Sequence, residues 1–165
     1  MKLGERVCVL RLTKVFPRNP PLLAQWLTNL MNSESIHPFH DLACSPLFVD
    51  QVAELLVSIA RKKLTGIWRF SGDRDITYAD IGCHLASRFD LDSRLVQAAS
   101  VVTSSYHFEH IPIYTSLDCS RLETELWIKP PPVWKFVRRL WDHEFSVMWQ
   151  VILSPACPPR DLGFR

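Results

Sequence analysis

The sequence predicts an α/β fold with parallel strand pairing. Short apolar runs rich in β-branched residues alternate along the chain with stripes of helical period, the pattern of strands joined by helical crossovers. Proline, serine and aspartate stand where such elements begin and end. With 165 residues, 47% of them apolar, the chain can bury one core without disulfides or metal.

The elements follow in order. Val7-Cys8-Val9-Leu10, continued by Leu12, Val15 and Phe16, reads as one strand covered on both faces, as in the middle of a parallel sheet. Pro17, Pro20 and Pro21 end it. Leu22 to Met31 is a helix, with Leu22, Trp26 and Leu30 at i, i+4 and i+8 and Leu23, Leu27 and Met31 beside them. Ile36 to Phe39 is a short strand. Ser45-Pro46 offers an N-cap followed by proline at the first helical position. Behind it Val49, Val52, Ala53, Leu56, Ile59 and Ala60 form an apolar stripe, with Asp50 and Glu54 early and Arg61, Lys62 and Lys63 late, as the helix dipole favours. Gly66 to Phe70 is a second main strand, closed by Ser71-Gly72-Asp73. Thr77-Tyr78-Ala79-Asp80 is a capping box, opening a helix marked by Ile81, Leu85 and Phe89. Val96 and Val101-Val102 belong to short strands, Ser116 to Leu122 opens a short helix, and Pro130 to Pro132 precede a last helix from Val133 to Trp141. Residues 142–165 lose clear period and read as a tail.

Composition excludes several functions. Lys and Arg number 19 against 17 Asp and Glu, a net charge of +2, which gives no electrostatic case for nucleic acid or an anionic membrane. The glycines, at 4, 66, 72, 82 and 163, have neither the G-x-G-x-x-G nor the P-loop spacing, and G-x-S-x-G is absent. The five cysteines contain no C-x-x-C, which removes zinc-ribbon and dithiol redox chemistry and fits a reducing compartment. No apolar run reaches membrane-spanning length and the first residues lack a signal-peptide pattern, so a cytoplasmic location is expected.

Three constellations invite chemistry. His37, His40, Asp41 and Cys44 are the densest set of metal-capable side chains, but Pro38 prevents a helical pairing of the two histidines, and a structural turn is the simpler reading. His107-Phe108-Glu109-His110 lacks H-E-x-x-H order, and no metal is expected at either place. The six tryptophans are irregularly spaced and read as core rather than as a stacking platform. Four residues after Tyr78, Tyr106 and Tyr114 stand Gly82, His110 and Asp118, so the Tyr-x-x-x-Lys acid–base pair does not occur.

Three segments carry a family resemblance. They are Val9 to Phe16; Phe39 to Ala53, with Gly66 to Gly72 at the matching distance; and Pro112 to Leu122. In that order and spacing the chain resembles the C-terminal, substrate-binding part of the dTDP-4-dehydrorhamnose reductase-like proteins, extended short-chain dehydrogenases that bind sugar nucleotides. The similarity covers residues 7–141.

The resemblance implies the C-terminal portion of an extended Rossmann-like fold: a partial parallel sheet plus a small substrate-binding subdomain within residues 1–141. In the family an N-terminal Rossmann half brings the glycine fingerprint and Tyr-x-x-x-Lys. Neither occurs here, so this half is expected to be missing, no catalytic residue is assigned, and NADPH, the family's cofactor, is not expected to bind this chain alone. The family's substrate turn corresponds to Asp41, Ser45 and Pro46, and its Arg-Pro-x-x-Ser-x-Leu-Asp stretch to Tyr114, Ser116 and Asp118. Ile111 stands where that pattern has arginine, which removes a cation suited to a diphosphate. For Ser45-Pro46 and Asp118 helix capping is the competing reading. The function implied is a sugar-nucleotide-binding domain without catalysis of its own, partnered by a sugar nucleotide and by a Rossmann half or another protein. The alternatives are a regulatory or interaction subunit of the same fold family, like the beta subunit of methionine adenosyltransferase, or a truncated gene product.

Overall fold

A computed structural model of the chain describes residues 7–104 and 111–135. The elements are β1 (Cys8–Leu12), β2 (Val15–Phe16), α1 (Pro21–Met31), β3 (Ala43–Cys44), β4 (Leu47–Phe48), α2 (Val49–Arg61), β5 (Gly66–Phe70), β6 (Ile76–Thr77), α3 (Tyr78–Arg88) and α4 (Ser120–Leu126). Strands β1 and β5 pair in parallel from Cys8 opposite Gly66 to Leu12 opposite Phe70. A second parallel pair joins β2 to β4, and β3 runs antiparallel to β6. The α/β class and the parallel pairing therefore stand.

Two apolar clusters hold these pieces. One packs α2 and α4 on the β1–β5 sheet through Val52, Leu55, Ile59, Trp68, Phe70 and Leu122, with Cys8 and Leu10 at its margin. The other gathers Leu23, Trp26 and Leu27 of α1 with Ile81, Leu85 and Ala86 of α3. The Thr77 capping box forms as read: Thr77 Oγ1 accepts from Asp80 N–H (3.0 Å), and Asp80 Oδ2 accepts from Thr77 N–H (2.8 Å).

Several expectations are corrected. The Val7–Phe16 run is two strands, broken where Thr13 donates its backbone N–H to Phe70 O and its hydroxyl to Ser45 O. Nor is it covered on both faces: Cys8 and Leu10 turn toward the core, whereas Val9 is 45% exposed. Helix α2 begins at Val49 rather than behind Ser45, and it is the Gln51 side chain that accepts from Phe48 N–H (2.9 Å) at its start. Its buried positions are Val52, Leu55 and Ile59; Val49, Ala53, Leu56 and Ala60 stay outside. Ile36 and Phe39 make only isolated parallel bridges, to Val96 and Ala99, instead of a strand. Val101 is a buried loop residue and Val102 an exposed one. The Ser116–Leu122 helix starts later, at Ser120. Of the last helix only Val133 to Lys135 lie in the described part; its remainder, the tail and the His107–His110 cluster lie outside it.

Candidate functional site

The turn after β5 brings the two resemblance segments together. Ser71, fully buried, accepts Leu117 N–H on its hydroxyl (3.0 Å) and donates toward Gly72 O (2.9 Å). On its other side the Gly72 backbone lies against Ser45, Pro46 and Val133. Asp73 accepts Val133 N–H (2.9 Å), and its own N–H donates to Pro131 O (3.0 Å). Asp75 accepts four bonds: Thr115 N–H (3.0 Å), Ser116 N–H (2.8 Å), Ser116 Oγ–H (3.0 Å) and the Thr115 hydroxyl. Partial burial raises the Asp75 pKa, but these bonds outweigh it and hold the carboxyl below its ordinary value. The sequence marks Ser71 only as closing the strand, and neither Ser71 nor Asp75 as a site residue. Their partners lie some forty residues away, and local pattern carries no signal at that range.

A tight contact at Gly72 gives a direct test of this packing. A Cβ there would sit 2.7 Å from Val133 Cγ1, 3.0 Å from Ser45 Oγ and 3.2 Å from Pro46 O. Gly72→Ala is expected to cost about 1–3 kcal/mol through overpacking. Chemical denaturation checks it; an unchanged midpoint would mean the turn is not packed this way.

The expected site residues fare differently. Ser45 is 0% exposed and Pro46 fully buried, so both set the loop's position and neither presents a surface to solvent. The Ser45 hydroxyl has no hydrogen-bond partner among the described residues. Asp41 is half-buried; it accepts from the Ser100 hydroxyl and from Val101 N–H (2.8 Å), and these bonds, Ser100's first, lower its pKa. It pins the 100–101 turn against the 39–42 loop. Tyr114 is 82% exposed, and Ser116 is held by Asp75. Asp118 accepts Ser120 N–H (3.0 Å) at the start of α4, which lowers its pKa, with Arg69 4.0 Å away. The structure thus gathers Ser45, Pro46 and Ser116 around Ser71–Asp75 and sets Asp118 near Arg69 of β5, while Asp41 is tied to a different turn.

Beside the Asp41 turn opens a cleft of about 390 Å³ that the sequence did not reveal. Leu22 and Trp26 of α1, His37, Phe39, Leu42 and Tyr78 line it, with Pro38 at its floor. Trp26 meets Tyr78 edge-on, centroids 6.3 Å apart. Burial pushes the Tyr78 phenol up to about 12, so it stays a neutral hydrogen-bonding group at physiological pH. Burial likewise drives the Cys44 thiol up to about 12, which keeps it protonated and makes it a poor metal ligand or nucleophile. No group of three metal-capable side chains converges among the described residues.

Searches against family models and curated proteins find no match. Solved structures do match. A hypothetical dTDP-4-dehydrorhamnose reductase from Sulfolobus tokodaii superposes with a TM-score of 0.59 at 20% identity, over 74% of this chain and 43% of that one. The dTDP-4-dehydrorhamnose reductase from Bacillus anthracis gives 0.66 at 13% identity, over 81% and 46%. The chain shares its fold with part of these reductases. A UDP-glucose 4-epimerase from Thermotoga maritima, solved with UDP-glucose, shares it as well, with a TM-score of 0.65 at 14% identity over 86% and 46%. The chain spans less than half the length of each of these structures. Among the described residues no helix is long and apolar enough to cross a membrane.

Proposed function

We propose that this chain is a sugar-nucleotide-binding domain that does not carry out reduction by itself. The cleft beside the Asp41 turn is the observation that carries the reading. Its walls are apolar and aromatic, suited to the flat face of a nucleobase, and His37 and Tyr78 supply the few polar groups that orient a ligand. The likeness in fold to dTDP-4-dehydrorhamnose reductases and to an epimerase solved with UDP-glucose supports it. In this reading Asp41, Ser45 and Pro46 shape the loop bordering the cleft, and Tyr114, Ser116 and Asp118 belong to the segment that meets the sugar end. Residues 1–141 form the substrate-binding part.

The described residues do not fit a dinucleotide cofactor. Pyrophosphate approaches bare backbone at glycines near a helix N-terminus. Here a side chain backs each of the three described glycines: Arg121 at Gly66, Val133 and Ser45 at Gly72, Pro38 and Val96 at Gly82. Neither the glycine fingerprint nor Tyr-x-x-x-Lys occurs in the sequence. We assign no hydride-transfer step to these residues; NADPH chemistry would need a cofactor-binding part carried elsewhere.

Among the described residues no lysine or arginine lines the cleft, so a diphosphate gains little from them. Binding of dTDP-glucose is therefore expected to be weak, and Ile111→Arg is expected to tighten it about tenfold or more, since a charge-assisted bond contributes roughly 1.5–3 kcal/mol. Trp26→Ala is expected to abolish it. Calorimetry decides: affinity indifferent to both substitutions would remove the assignment.

A further inference from the structure

We propose that Gly82 is a positioning residue of the cleft: its bare backbone seats Pro38, and so sets how deep a base can enter. The proposal rests on the sugar-nucleotide reading, because it concerns the same cleft. It begins on α3, where Tyr78 and Gly82 stand one turn apart on one face of the helix. Tyr78 forms part of the cleft wall. Gly82 is buried, and over it lies the ring of Pro38, the cleft floor. A Cβ at position 82 would come 3.1 Å from Pro38 Cγ, 3.3 Å from Val96 Cγ1 and 3.4 Å from Ile36 Cδ1.

The helix itself gains nothing from this glycine. Glycine in a helix interior is less favourable than alanine, because it loses more backbone freedom on folding. What the bare position supplies is room. It leaves a notch the size of a methyl group in the face of α3, and the Pro38 ring occupies it.

The surroundings of Pro38 decide which way it moves when that notch is filled. On one flank the 36–40 segment is bonded to 95–99. Gln97 N–H donates to Ile36 O (2.9 Å), Ala99 N–H to Pro38 O (2.9 Å) and His40 N–H to Ala99 O (3.0 Å). On the other flank the start of α3 holds the loop, with Ala79 N–H donating to Phe39 O (3.0 Å) and Tyr78 N–H to Leu42 O (3.3 Å). Ile36 and Val96, which border the same notch, pack within the apolar cluster of α1 and α3. The remaining side is the cleft. An added Cβ therefore drives the Pro38 ring by a few tenths of an ångström into the space that a base would fill. At about 390 Å³ the cleft stands near the lower end of small-molecule sites, so it has little depth to give up.

Two-dimensional NMR titrations of the parent and three variants with dTDP-glucose and ADP-glucose test this. Gly82→Ala is expected to keep the parent's circular dichroism spectrum and to bind dTDP-glucose about tenfold or more weakly, the scale of one methylene in an apolar pocket. Adding Pro38→Ala to Gly82→Ala removes the ring that the new methyl displaces, and is expected to recover most of the loss. Pro38→Ala alone lowers the floor. It is expected to shift the preference toward ADP-glucose, whose two-ring base is larger. A general loosening of the loop would produce neither the recovery nor the change in preference. A parent that binds neither nucleotide would overturn this proposal together with the reading it rests on. A parent that binds, with Gly82→Ala equal to it or with a double variant no tighter than Gly82→Ala, would overturn this proposal alone. If Gly82→Ala fails to fold, the Pro38→Ala preference decides: a shift toward ADP-glucose upholds the proposal, and an unchanged preference overturns it.

Discussion

Trp68→Ala is expected to lower stability by about 3–5 kcal/mol, a large share of the roughly 5–15 kcal/mol that holds a typical domain folded. Trp68 sits at the centre of β5 and is completely buried. Its indole N–H donates to Thr65 O (3.1 Å), and the guanidinium of Arg121 lies 4.0 Å from the ring centroid. The consequence reaches past the core. Arg121 belongs to the first turn of α4, just after Asp118, and its partner Glu125 (2.7 Å) lies one turn on. Removing the indole takes away the surface on which α4 rests and, with it, the support of the 116–118 segment. Arg121→Ala should cost much less, about 0.5–1 kcal/mol, as an exposed cation–π contact does. Urea denaturation of both variants provides the check, and equal effects would show that the ring is not the anchor.

Asp75→Ala is expected to destabilise by about 1–3 kcal/mol, since it strips the acceptor from two backbone N–H groups and two hydroxyls at once. Water reaches Ser116, which places the effect toward the lower end. The pH dependence follows in sign from the lowered pKa. The folded carboxyl binds its proton more weakly than the unfolded one, whose value is about 3.9. Its contribution is therefore complete above that pH and is lost as pH falls through the lower folded value. The parent should lose stability on acidification below about pH 4, and Asp75→Asn should flatten this dependence. A variant with the parent's full acid sensitivity would assign the effect to other carboxylates, Asp41 and Asp118 among them.

What was legible in the sequence was local. β5 was read from alternation and a closing Ser-Gly-Asp, and the start of α3 from a capping box whose donors and acceptors lie three residues apart. The orientation of α2 was not legible, because apolar residues cover more than half of its circumference. Period alone selected Leu56, whereas the sheet took Leu55. Continuity of apolar residues likewise concealed the break at Thr13, which depends on Ser45 and Phe70 far along the chain. The candidate site shows the same division. Asp118 was visible as an acid at a helix start. That the turn after β5 gathers distant segments was not legible, and neither was the cleft, which needs α1, the 37–42 loop and Tyr78 side by side.

Titration of isotopically labelled protein with dTDP-glucose, followed by two-dimensional NMR, tests the functional account most directly. Saturable shifts are expected at the Trp26 indole, at His37 to Leu42 and at Tyr78, with smaller ones along 114–118 and none along β1. Shifts absent at millimolar ligand, or confined to residues away from this cleft, would contradict it.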